Sequence, residues 1–162
     1  MKLIFLISFL FILNVYPFNK LRANLISNKK LFDTFIDLNY KSGEFLRLFI
    51  ADDSIEKESG LMGIKMLDPN YGMIFVFDPP EKVNFWMKNT LIPLDIIFIK
   101  NDKIIEILQN VLPCTIDECP LFGPKEKVDF VIELKSGRSK ELGFEIGSKI
   151  NLKKKFNFKS IY

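Results

Sequence analysis

The apolar residues of this chain come in short runs, each closed by Gly, Pro, Asn, Asp or Ser, and that punctuation sets the fold class. Strands suit such short runs, whereas helices need longer segments of 3.6-residue periodicity. Residues 44–50 follow a Lys41-Ser42-Gly43 turn, and residues 72–77 are stopped by Asp78-Pro79-Pro80. Residues 83–88 alternate Val83, Phe85 and Met87 with Asn84, Trp86 and Lys88. Residues 94–100 lead through Asn101-Asp102 into 103–108, a hairpin pattern. Residues 128–134 and 149–152 complete the set, with a first strand expected within 24–43 after a polar linker. Asp53 or Ser54 can cap a short helix ending near Gly60 or Gly63, and a helical turn is expected around 139–142. Ile, Phe, Val and Leu dominate the apolar residues, which favours strands. The expectation is one mainly β domain over residues 44–152, a sandwich, jelly-roll-like fold or small barrel with one or two short helices.

Residues 1–23 read as a targeting segment. Lys2 precedes the run 3–13, which is apolar except for Ser8. Such a run suits a signal-peptide core and falls short of the roughly 20 residues of a membrane-spanning helix. Ala23 can precede a cleavage point; an uncleaved N-terminal anchor is the alternative. Either reading puts the domain outside the cytoplasm, periplasmic or secreted. With Lys2, Lys20 and Arg22 set aside, the remaining basic and acidic residues balance at 20 each. That balance gives no general electrostatic footprint for nucleic acid, which is not expected as a partner. The basic tail, residues 153–162 with Lys153, Lys154, Lys155 and Lys159, reads as solvated or as a contact to an anionic membrane surface.

Cys114 and Cys119 are spaced C-x4-C between prolines, and the chain has no histidine. A structural zinc site would need two more Cys or His ligands, so no metal site is expected. A disulfide staple is expected instead, contributing about 2 kcal/mol for so short a loop.

The chemistry concentrates in residues 84–95, N-F-W-M-K-N-T-L-I-P-L-D, which include the single tryptophan. Trp86 can floor a ligand site, with Lys88, Asn89, Thr90 and Asp95 supplying polar contacts; Trp86 can equally be core, and Asn89 and Thr90 can hold a turn. Asp95 and Glu133 are carboxylates among apolar neighbours. Together they could form a hydrolytic pair, and separately each could be a structural partner. Met62, Met66, Met73 and Met87 fall close together in sequence, as a thioether copper site or as core filling. The favoured expectation is a binding or accessory domain for a small molecule or envelope carbohydrate, with no cofactor. A carboxylate-based hydrolase of envelope polymers and a Met-based copper site are the alternatives.

The segments Gly60-Leu61-Met62, Gly72 to Phe77, Phe85-Trp86-Met87-Lys88-Asn89-Thr90 with Ile92-Pro93-Leu94-Asp95, Pro113-Cys114 with Cys119-Pro120, and Val131 to Leu134 with Gly137 occur in that order. Together they resemble the domain-of-unknown-function 192 family, from about residue 45 to 152. The resemblance implies a compact, mainly β domain, often behind a signal peptide or anchor, with no established activity, substrate or cofactor. The family often has Arg just before its Gly-Leu-Met, where this chain has Ser59.

Overall fold

Strands covered on both faces are mostly apolar and buried along their length, and the apolar-rich segments 94–100 and 128–135 follow that pattern. A computed structural model describes residues 34–40 and 44–156. It contains strands β1 (Phe35–Tyr40), β2 (Glu44–Ala51), β3 (Tyr71–Glu81), β4 (Leu94–Lys100), β5 (Lys103–Val111) and β6 (Val128–Lys135). Three short helices accompany them, α1 (Ser54–Ser59), α2 (Arg138–Glu141) and α3 (Lys153–Phe156). The expected targeting segment, most of the linker, the turn at 41–43 and the end of the basic tail lie outside the described residues.

The strands form one six-stranded mixed sheet in the order β1-β2-β3-β6-β4-β5. β2 and β3 are parallel, and every other neighbouring pair is antiparallel. The mainly β, single-domain expectation holds. The sheet stays open rather than closing into a barrel, and loops and short helices cover its faces. Two connections run over the sheet rather than along its edge. A parallel pair cannot be joined by a hairpin, so residues 52–70, with α1, cross over between β2 and β3. Residues 82–93 likewise cross from β3 to β4, because β6 is inserted between those two strands.

Each face has its own core. Leu48, Ile74, Ile97, Phe130, Ile132 and Leu134 lie on the first face, under Leu142, Phe144, Ile150 and Leu152 from the C-terminal segment. Met73, Phe75, Ile96, Phe98 and Val131 lie on the second, under Leu61, Leu67, Val83 and Met87 from the two crossovers. Successive residues of a strand point to opposite faces, so β4 and β6 contribute alternately to the two cores and are buried at every position but the last. Gly72 lies opposite Leu134 where β3 meets β6. A Cβ there would stand 2.5 Å from the carbonyl oxygen of Glu133, so only glycine permits this approach of the two strands.

Two expected strands are not strands. Residues 83–88 make isolated bridges only, Phe85 to Phe122 and Lys88 to Cys114. The alternation is genuine, since Val83 and Met87 are buried while Asn84, Trp86 and Lys88 are exposed. The segment passes over the sheet instead of joining it, so extended backbone has no ladder partner. Residues 149–152 likewise keep one bridge, Lys103 to Lys149. β3 runs past the expected stop to Glu81, with the register shift between Val76 and Glu81 absorbing Pro79 and Pro80. The basic tail begins as part of the fold: Phe156 stacks on Phe130 at 5.4 Å, and Lys155 donates to the Asp37 carbonyl.

Candidate functional site

The two crossovers pass over the same face of the sheet and leave a cleft of about 330 Å³ between them. The first crossover supplies the end of α1 and residues Gly60, Leu61 and Met62; the second supplies Val83, Asn84, Phe85, Trp86 and Thr90. Phe75, Phe77 and Glu133 come from the sheet beneath. α1 is held in place by reciprocal capping, with Asp53 accepting from Glu56 N at 2.8 Å and Glu56 accepting from Asp52 N at 3.2 Å. It ends at Gly60, whose φ of 44° suits glycine. A side chain there would press on Phe75 at 3.3 Å and approach Glu133 Oε2 at 3.8 Å, so the glycine keeps the floor open.

The floor is aromatic. Phe85 meets Phe75 edge-on at 4.9 Å and Phe98 edge-on at 5.9 Å. Trp86 is 39% exposed and lies along the cleft, with the Lys88 ammonium 5.3 Å from its ring. The Lys57 ammonium rests 4.7 Å from the Phe77 ring on another part of the lining.

Glu133 is the buried titratable group within this apolar setting. It is 5% exposed, and among the described residues no hydrogen bond or ion pair engages its carboxyl. No fully enclosed side-chain polar atom among the described residues lacks a partner, so the Glu133 carboxyl must open onto the cleft. Burial without a compensating charge pushes its pKa up to about 8. At neutral pH it is mostly a neutral acid that can donate as well as accept a hydrogen bond.

Asp95 is elsewhere. It is fully buried on the first face and accepts from Asn110 N at 2.9 Å, Ser139 N at 3.0 Å and Ser139 Oγ at 2.7 Å. It therefore fastens β4 to the end of β5 and to α2. Asp95 stands opposite Leu134 and Glu133 opposite Ile96, so the two carboxylates point to opposite faces. The expected hydrolytic pair of Asp95 and Glu133 is not formed.

Of the other expected residues, Trp86 and Thr90 line the cleft, whereas Lys88 and Asn89 are absent from its lining. Asn89 holds a left-handed turn with φ 57°, and its carbonyl accepts from Gly63 N at 2.9 Å, joining the two crossovers. The methionines divide among three environments: Met73 and Met87 are buried core, Met62 lines the cleft, and Met66 is 74% exposed. Met66 stands in solvent apart from the other three, which suits core filling better than a shared copper site. Cys114 and Cys119 form the expected disulfide, and Cys114 N donates to Met87 O at 3.1 Å, anchoring that loop to the motif. Sequence reasoning missed Lys57, Gly60, Phe75 and Phe85 as cleft residues, although Gly60, Phe75 and Phe85 fall within segments that carry the resemblance.

The profile of the DUF192 family, described as "Uncharacterized ACR, COG1430", matches residues 37–152. A crystal structure of a protein of unknown function from Novosphingobium aromaticivorans DSM 12444 is similar, with 33% identity and a TM-score of 0.62, covering 72% of this chain and 82% of that one. A candidate transcription regulator from Sinorhizobium meliloti 1021 is also similar, with 35% identity and a TM-score of 0.61, covering 70% of this chain and 88% of that one. Among curated proteins none matches the chain significantly.

Proposed function

The chain belongs to the DUF192 family, and from that premise we propose that its domain is a small-molecule binding module that works outside the cytoplasm. The cleft between the two crossovers is the binding site. One observation carries this reading: a buried carboxyl, Glu133, unpaired among the described residues, opens onto a cleft alongside a half-exposed tryptophan. A protein without a ligand for this cleft would have little reason to hold a desolvated acid there. Trp86 offers a flat face to a ring, and Thr90 and Asn84 offer polar contacts, which suits envelope sugars as the first ligands to test. The Cys114–Cys119 disulfide favours an oxidising compartment, and no described helix is long and apolar enough to cross a membrane.

A hydrolase is the weaker reading, because its two carboxylates would have to face one cleft and Asp95 faces away. Trp86 is the single tryptophan, so its fluorescence reports on the cleft without a label. Titration with envelope sugars and amino sugars should give a saturable emission change, and calorimetry should show weaker binding to a Trp86→Ala chain. A flat response from every compound, with no thermal shift, would sink the binding reading.

A further inference from the structure

We propose that the ligand taken by this cleft carries an organic ammonium group, which sits against the aromatic floor and pairs with Glu133. The proposal rests on the small-molecule reading above and adds the charge of the ligand. Three features support it. The carboxyl of Glu133 is buried, faces the cleft and has no cation or donor of its own among the described residues. Phe75, Phe77 and Phe85 line the cleft, and the electron-rich faces of such rings hold ammonium groups. One ammonium is already there, since Lys57 Nζ lies 4.7 Å from the centre of Phe77. The protein thus shows on its own wall the contact expected of the ligand.

The rim does not decide the charge preference. Lys57 and Glu58 reach it from α1, and Glu81 and Lys82 reach it from the end of β3, two of each sign. Preference must come from the floor, where Glu133 is the charged group that faces the cleft. Binding a cation stabilises the carboxylate and expels the proton that the empty cleft retains. Affinity for a permanently charged ammonium therefore rises as pH rises toward the pKa of Glu133 and levels off above it.

The test uses choline, whose charge does not titrate, glucosamine as a primary ammonium, and N-acetylglucosamine and glucose as neutral controls. Binding is read from Trp86 emission and calorimetry at pH 6 to 9. Choline or glucosamine should bind at least about tenfold more tightly than the neutral sugars, identifying a quaternary or a primary ammonium. Choline affinity should climb by up to about tenfold per pH unit below pH 8. Glu133→Gln, checked for folding by its melt, should abolish both the preference and the pH dependence. Lys57→Met, which frees the Phe77 face, should strengthen choline binding. Neutral sugars binding as well as both ammonium compounds would overturn the ligand class and leave the binding module standing. Unchanged ammonium binding by Glu133→Gln would do the same. No binding by any of the four would overturn both.

Discussion

Asp95 and Glu133 stand one register step apart on neighbouring strands, and that single step sends their carboxyls to opposite faces of the sheet. On one face the carboxylate is saturated by three donors and clamps the fold. On the other the carboxyl is unpaired among the described residues and opens on a cleft. Two acids with nearly identical sequence surroundings thus have separate roles, and mutation should separate them.

Glu133 should make the protein less stable as pH rises. In the unfolded chain its carboxyl ionises near the ordinary 4.5, whereas in the folded chain it holds its proton to about 8. Below the lower value both states are protonated and the group has no effect. Between the two values only the unfolded chain ionises, so stability falls steadily and then levels off above pH 8. The loss is on the order of 3 kcal/mol by pH 7. Glu133→Gln should therefore melt at a higher temperature than the native chain at pH 8, with the gap closing toward pH 4. Parallel melts across that range check it; a constant gap would refute the titration.

Asp95→Ala should weaken the fold and leave the cleft alone. It strands the Asn110 and Ser139 amides and the Ser139 hydroxyl without their acceptor. The cost is about 2–5 kcal/mol, read as a lowered denaturant midpoint. Ligand affinity in the surviving folded fraction should match that of the native chain.

Reducing the Cys114–Cys119 disulfide should cost about 2 kcal/mol. Amide exchange should speed up first in residues 112–121 and at Cys114 N, whose bond to Met87 O ties that loop to the motif. Melts with and without reductant, compared with a Cys114→Ser/Cys119→Ser chain, measure it.

Asn89 should tolerate glycine better than alanine. Its φ of 57° lies in the left-handed region, where a Cβ costs roughly 1–2 kcal/mol and Asn is among the few residues that adopt it readily. Asn89→Ala should lower the melting temperature by several degrees more than Asn89→Gly does.

The fold was more legible than the site. β4 and β6 could be read from their apolar runs, and the Asn101-Asp102 turn correctly joins β4 to β5. The capping of α1 was visible in Asp53 and the acids after it. Residues 83–88 were misread because alternation reports which side chains are buried, not whether the backbone has a neighbour to pair with. Glu133 was noticed as an acid among apolar residues, but its face depends on a register with β4 that no local pattern encodes. Asp95 is legible as an acid among apolar neighbours, but its expected place in the site gives way to three donors on the other face. Its partner Ser139 lies 44 residues away and could not be named from the chain alone.

Gly72 does not line the cleft, yet it sets how closely β3 lies against the strand that carries Glu133. Its missing side chain lets β3 lie close against β6 at the carbonyl of Glu133, from the face covered by the C-terminal segment. Alanine at this position would push the two strands apart and shift the cleft floor through the backbone, altering affinity without touching the bound molecule. The sheet is therefore a thin partition between packing and recognition, and selection on either face is felt by the other.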